Sequence, residues 1–162
     1  MPGSGDPAPT SKPGARVREL GIELPEPPSP LGAYVESSLA GNLLFLTGML
    51  PVVKGKLAMT GRLGESLSVE EGQKAARIAA LNALATAKRH LGDLDRVKKL
   101  VKLSVLMATT ESFVEHAMVA DGASKLFVQI FGADVGHTRV VYGVQSMPIG
   151  APVLVETIFE IE

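Results

Sequence analysis

A chain of 162 residues corresponds to one domain at about 150 residues per domain. At that size it can bury roughly 68–70% of its extended surface. It is 46% hydrophobic and 20% charged, which excludes a chain disordered throughout. Sixteen basic against seventeen acidic residues leave a net charge of −1, without the basic excess of a dedicated nucleic-acid binder. The absence of cysteine excludes disulfides, thiolate zinc sites, iron–sulfur clusters and Cys nucleophiles, and suits a reducing cytoplasm, the expected location.

Eight of the eleven prolines lie within residues 1–30. The spacing predicts a mobile tail and Pro-rich lead-in there, with a short helical turn at Ala15–Leu20, and a single folded domain over 31–162. The first residues lack the apolar core of an export signal. The longest apolar stretch, Leu43 to Val53, is interrupted by Thr47, Gly48 and Pro51, too short and broken to cross a membrane.

In chain order, Ala33–Leu39 reads as a loose strand ending at the Gly41-Asn42 turn, and Leu43–Leu46 as a short buried strand. Lys54-Gly55-Lys56 predicts a small hairpin. Ser68 followed by Glu71 is a capping box, which opens a helix with Ala75, Ile78, Ala79 and Ala85 inward. Lys88, Arg89 and His90 favour its C-terminal dipole and Gly92 stops it. Val97–Ala108 is predicted as a strand with Lys102 and Ser104 on a wet face, and Glu111–Phe131 as a second long helix. Arg139–Met147 and Pro152–Ile161 are the final strands. The interleaving predicts an α+β sandwich with two long helices on one face of a mixed sheet. In so apolar a chain, the uncovered face is expected to pack against another subunit.

No phosphate-cradling, dinucleotide or zincin motif is present. His90, His116 and His137 show no ligand spacing, so neither metal nor cofactor is expected. Lys88, Arg89, Arg96, Lys98, Lys99 and Lys102 form the main basic concentration. Asp93 and Asp95 interrupt it and no aromatic interleaves it, which favours a solvated face over a nucleic-acid groove. Asn82 reads as a packing residue with a satisfied amide. Arg139, heading an apolar strand, either snorkels to solvent or meets a buried anion.

The segments LLFLTGMLP (Leu43–Pro51) and HTRVVYGVQSMP (His137–Pro148) resemble the RidA/YjgF family, with support from GDLDRVKKLVK and GASKLF. The resemblance implies a chorismate-mutase-like sandwich assembled as a homotrimer, with ligand clefts between subunits. Type members hydrolyse reactive enamine or imine acids to 2-keto acids and ammonia; some relatives are described as endoribonucleases on single-stranded RNA. It implies that Arg139 grips the substrate carboxylate, that backbone groups at Val141 touch the imine nitrogen, and that Tyr34, Thr47 and Gly48 line the cleft. Asp121 stands where the family often carries Asn. The water-positioning Glu of type members falls on Leu154 here, and Glu156 is the next residue on that face. The resemblance therefore gives Arg139 and Glu156 as candidate catalytic residues, and Arg139, Tyr34, Thr47, Gly48, Asp121 and Val141 as candidate substrate contacts. The alternatives are a regulatory protein that binds a small carboxylate without turning it over, and RNA cleavage. No membrane partner is expected, and nucleic acid is disfavoured.

Overall fold

The structure, a computed structural model, describes residues 11–162. The predicted mobile tail falls mostly on residues 1–10, outside the described residues. The remainder of the lead-in packs earlier than the expected start at Leu31. Helix α1 (Pro13–Glu19) begins with Pro at its first turn and buries Val17. Leu20, Ile22 and Leu24 follow it onto the core. The backbone N–H of Gly14 donates to Asp95 Oδ1 at 2.7 Å, and Nε of Arg16 donates to the Gln129 carbonyl at 2.9 Å. Val17, Leu20, Ile22 and Leu24 are apolar at spacings that let one short helix and its exit cover the core edge.

Strands β1 (Ser37–Ala40) and β2 (Leu43–Leu46) form a hairpin through Gly41, at φ 60°. β1 starts four residues later than predicted, because the chain folds back at Tyr34: its N–H donates to the Gly32 carbonyl, and its hydroxyl accepts from the Leu31 N–H. A small hairpin, β3 (Val52–Val53) and β4 (Lys56–Leu57), turns at Lys54-Gly55 with φ 51° and 78°. Two positive φ values in succession suit the tight twisted turn of a two-residue hairpin.

Helix α2 (Val69–Leu91) opens on the predicted capping box: Glu71 N–H donates to Ser68 Oγ at 3.2 Å and Ser68 N–H to Glu71 Oε2 at 2.8 Å. Gly92 closes it in the left-handed conformation. Its buried face is nearly flat, with Ala75, Ala76, Ala79, Ala80, Ala83 and Ala87 all fully buried; Ile78 is only partly so. Asn82 is buried with its amide satisfied, donating to the carbonyls of Leu50 and Val52 at 3.0 and 2.9 Å.

Strand β5 (Val97–Ala108) leads to helix α3 (His116–Phe131). The helix starts five residues after the expected Glu111. Residues 110–113 turn instead, with the Phe113 N–H on the Thr110 carbonyl, and Phe113 packs against the core ahead of the helix. Strands β6 (Thr138–Val144) and β7 (Val153–Ile161) complete the sheet in the order β1-β2-β7-β5-β6. Only β5 and β6 run parallel, so α3 is the crossover that such a pair requires.

The predicted α+β sandwich is therefore present, with a mixed five-stranded sheet and α2 and α3 on one face. Leu103, Val105, Met107, Val153, Val155 and Phe159 point at the helices and are fully buried. The register puts Phe45, Ser104, Leu106, Val140, Tyr142, Leu154, Glu156 and Ile158 on the opposite face, since strand side chains alternate. Ser104 lies on that helix-free face, but its neighbours bury it rather than leaving it wet. Among the described residues, no helix is long and apolar enough to cross a membrane.

Candidate functional site

Arg139 stands on the edge strand β6, paired in register with Leu103, and so points to the helix side. One of its terminal nitrogens, NH1, donates to Asp121 Oδ1 at 2.7 Å and to Ser124 Oγ at 3.2 Å. Both acceptors lie on α3, and Ser124 in turn meets His137 Nε2 at 3.0 Å. Because the Ser124 oxygen accepts from Arg139, its own proton is free to go to the His137 ring. That assignment requires a neutral imidazole. Burial first, and the Arg139 charge second, hold the His137 pKa below its usual 6.5, which keeps the ring neutral at pH 7. Val141, two residues along the same strand, packs against the core.

Tyr34, Thr47 and Gly48 are brought together elsewhere. They line a cavity of about 250 Å³ with Leu31, Leu50 and Ile149 among its apolar walls. The Thr47 N–H is held by the Glu36 carbonyl at 2.9 Å. Gly48 has to be glycine here: a Cβ would sit 2.7–2.9 Å from the Leu154 side chain. Leu154 therefore lies over the Thr-Gly segment. The Met49–Val155 bridge also brings Glu156 alongside that segment. Glu156 is exposed and, among the described residues, has no ion-pair partner.

The seven candidate site residues thus fall into two groups: Arg139, Asp121 and Val141, and then Tyr34, Thr47, Gly48 and Glu156. From β6, Glu156 on β7 lies two strand spacings away and the Thr47-Gly48 segment after β2 three, about 10 and 14 Å, and the groups use opposite faces of the sheet. A small ligand cannot touch both groups within one chain.

Three residues at these sites were not singled out from sequence as ligand contacts. Ser124 reads as one more small residue on the inner face of a helix. His137 stood out only by closeness to Arg139; its role depends on α3 packing beside β6. Ile149 lines the Tyr34 cavity, is well exposed, and holds φ 52°. A β-branched residue rarely adopts that conformation, and such strain concentrates at functional positions. Its only sequence signal is its place between Pro148 and Gly150.

Half of the basic cluster is engaged locally. Arg89 pairs with Glu36, Lys99 with Glu160 at 3.6 Å, and Arg96 donates to the carbonyls of Leu91 and Glu162. His90 meets Ser37 Oγ at 2.7 Å and His116 lies edge-on to Phe113. Among the described residues, no group of three His, Cys, Asp or Glu could hold a metal ion.

Comparison with known proteins agrees with this architecture. Residues 14–161 match the family described as "YjgF/chorismate_mutase-like, putative endoribonuclease". Protein TCP17 of Trypanosoma cruzi is 44% identical over 148 residues, covering 91% of this chain and 92% of that one. A solved Shewanella oneidensis MR-1 protein, described as "a putative endoribonuclease", is 36% identical with a TM-score of 0.89, covering 93% of this chain and all of that one. Atu1372 of Agrobacterium tumefaciens, of unknown function, is 37% identical with a TM-score of 0.82, covering 92% and 91%. The family match spans nearly the whole described chain and the sheet and helices coincide with solved members: the chain belongs to the RidA/YjgF (YjgF/chorismate-mutase-like) family.

Proposed function

We propose that the protein binds small 2-imino and 2-keto acids in a cleft formed between two copies of the chain, and hydrolyses the imino acid to the keto acid and ammonia. The observation that carries this reading is the separation of the two residue groups. An anchoring arginine stands on the β6 edge of the sheet, and a Tyr-Thr-Gly wall stands three strand spacings away, where the chain continues from β2. Two copies packed edge to edge would bring them to one cleft, and a closed trimer would repeat that contact three times. The helix-free face supports assembly, since Phe45, Val140 and Tyr142 are each more than a third exposed and lie with Leu106, Leu154 and Ile158 on one apolar surface.

The chemistry asks little of the protein. An imine carbon is already electrophilic, so holding it and presenting a water supplies most of the acceleration. Arg139 would hold the carboxylate with parallel charge-assisted hydrogen bonds, main-chain groups at Val141 would orient the nitrogen, and Glu156 would be the nearest carboxylate to direct water. A second reading, binding without turnover, is favoured by Leu154, an alkyl side chain lying directly over Gly48. RNA cleavage has less support, because the chain is near neutral and Arg89, Arg96 and Lys99, half of its main basic cluster, are engaged locally.

The test is to generate 2-aminoacrylate enzymatically and follow pyruvate release with and without the protein. Faster release that is lost in Arg139→Ala supports hydrolysis. No acceleration with 2-ketobutyrate still bound supports the second reading, and no binding at all contradicts both.

A further inference from the structure

The Arg139–Asp121 pair bears on which carboxylates the cleft would accept, a question that rests on the carboxylate-binding reading above. NH1 of Arg139 is committed to Asp121 and Ser124. Among the described residues, nothing accepts from its Nε–H or from NH2, so one two-pronged edge of the guanidinium stays open. Asp121 is likewise half used: Oδ1 accepts from Arg139, and no donor among the described residues reaches Oδ2. The two side chains are 25% and 41% exposed, so the pair is partly shielded rather than fully solvated. Burial, and then the Arg139 charge, lower the His137 pKa, which disfavours a second positive charge beside the guanidinium. Lys74, Arg77 and Lys125 border the groove on the far side of Asp121, and among the described residues none of them forms an ion pair with it.

A guanidinium already neutralised by a neighbouring carboxylate is a poor trap for a plain anion. The incoming carboxylate gains the open edge of Arg139 but meets the negative charge of Asp121 in a site of reduced dielectric. A ligand that also carries a protonated nitrogen beside its carboxylate satisfies both partners: the carboxylate on Nε and NH2, the N–H on Asp121 Oδ2. We infer that this cleft selects zwitterionic α-nitrogen acids, namely α-amino acids and protonated 2-imino acids, over 2-keto acids. For a hydrolase this ordering is useful. The iminium form is held, and the keto acid, having lost the nitrogen that Asp121 recognises, is released.

Calorimetric titration with a matched pair, L-2-aminobutyrate and 2-ketobutyrate, tests the inference. The wild-type protein is expected to bind the amino acid at least ~tenfold more tightly. Asp121→Asn keeps the size and loses the charge, so the preference should vanish or invert while both ligands still bind; Asp121→Ser and thermal melts guard against a folding defect. Equal affinities in the wild type, or the same ratio in wild type and both variants, overturn the selectivity while leaving the Arg139 anchor intact. Failure of both ligands to bind the wild type, or undiminished binding of both to Arg139→Ala, overturns the anchor and the selectivity with it.

Discussion

Leu154 sits against Gly48 with no room for a methyl group between them, so the position that the resemblance assigns to a water-directing carboxylate holds an alkyl side chain here. Leu154→Glu should raise imino-acid hydrolysis by at least ~tenfold, the low end of what a positioned general base supplies. Pyruvate release from 2-aminoacrylate measures it, and an unchanged rate with ligand binding intact would place water activation elsewhere. His137 carries a pH signature. Its folded pKa lies below 6.5, so the unfolded chain binds the extra proton first as pH falls. Its contribution to stability is fully present above about 6.5 and is lost as pH drops from there through the folded pKa. Melting curves from pH 8 to 5 should show this decline in the wild type and a shallower one in His137→Gln; identical curves would mean that His137 is not held neutral. The Arg139–Asp121 contact itself was not legible in the sequence. The partners are 18 residues apart, and only the packing of α3 beside β6 makes them neighbours.

The elements read from sequence were those whose signals are local. Leu43–Leu46 is an apolar run between turn residues, and α2 announces its start with Ser68 and Glu71. The errors arose where tertiary contacts override local pattern. Phe113 fits the helical spacing of α3 but is drawn to the core ahead of it, and Val17 with Ile22 is drawn onto the core from within a Pro-rich segment. Thus the sheet and both long helices were legible, but the chain's entry into the fold was not. Two substitutions probe the α2–α3 layer. Ser68→Ala removes the cap and should cost about 1 kcal/mol. Gly122→Ala should cost more, about 2–3 kcal/mol or beyond, because its Cβ would lie 2.2 Å from the Gln73 carbonyl oxygen and 2.7 Å from its Cα. Urea denaturation of the two variants ranks them, and a milder effect for Gly122→Ala would mean that the helices can separate freely.

For the whole molecule, the two candidate residue groups lie on different strands and opposite faces of one sheet. Assembly is therefore a condition of function in this account, and light scattering should give about three times the chain mass of 17.0 kDa. A mass equal to one chain would remove any cleft between copies. The measurement that bears most directly on the central claim is the affinity of the assembled protein for a 2-keto acid, compared with that of Arg139→Lys and Arg139→Ala. An ammonium cannot present the planar fork of a guanidinium, so both variants should bind at least ~30-fold more weakly, with melting temperatures close to the wild type. Affinity unchanged in Arg139→Ala would contradict the account, for then the arginine only ties β6 to Asp121 and Ser124 and anchors no ligand.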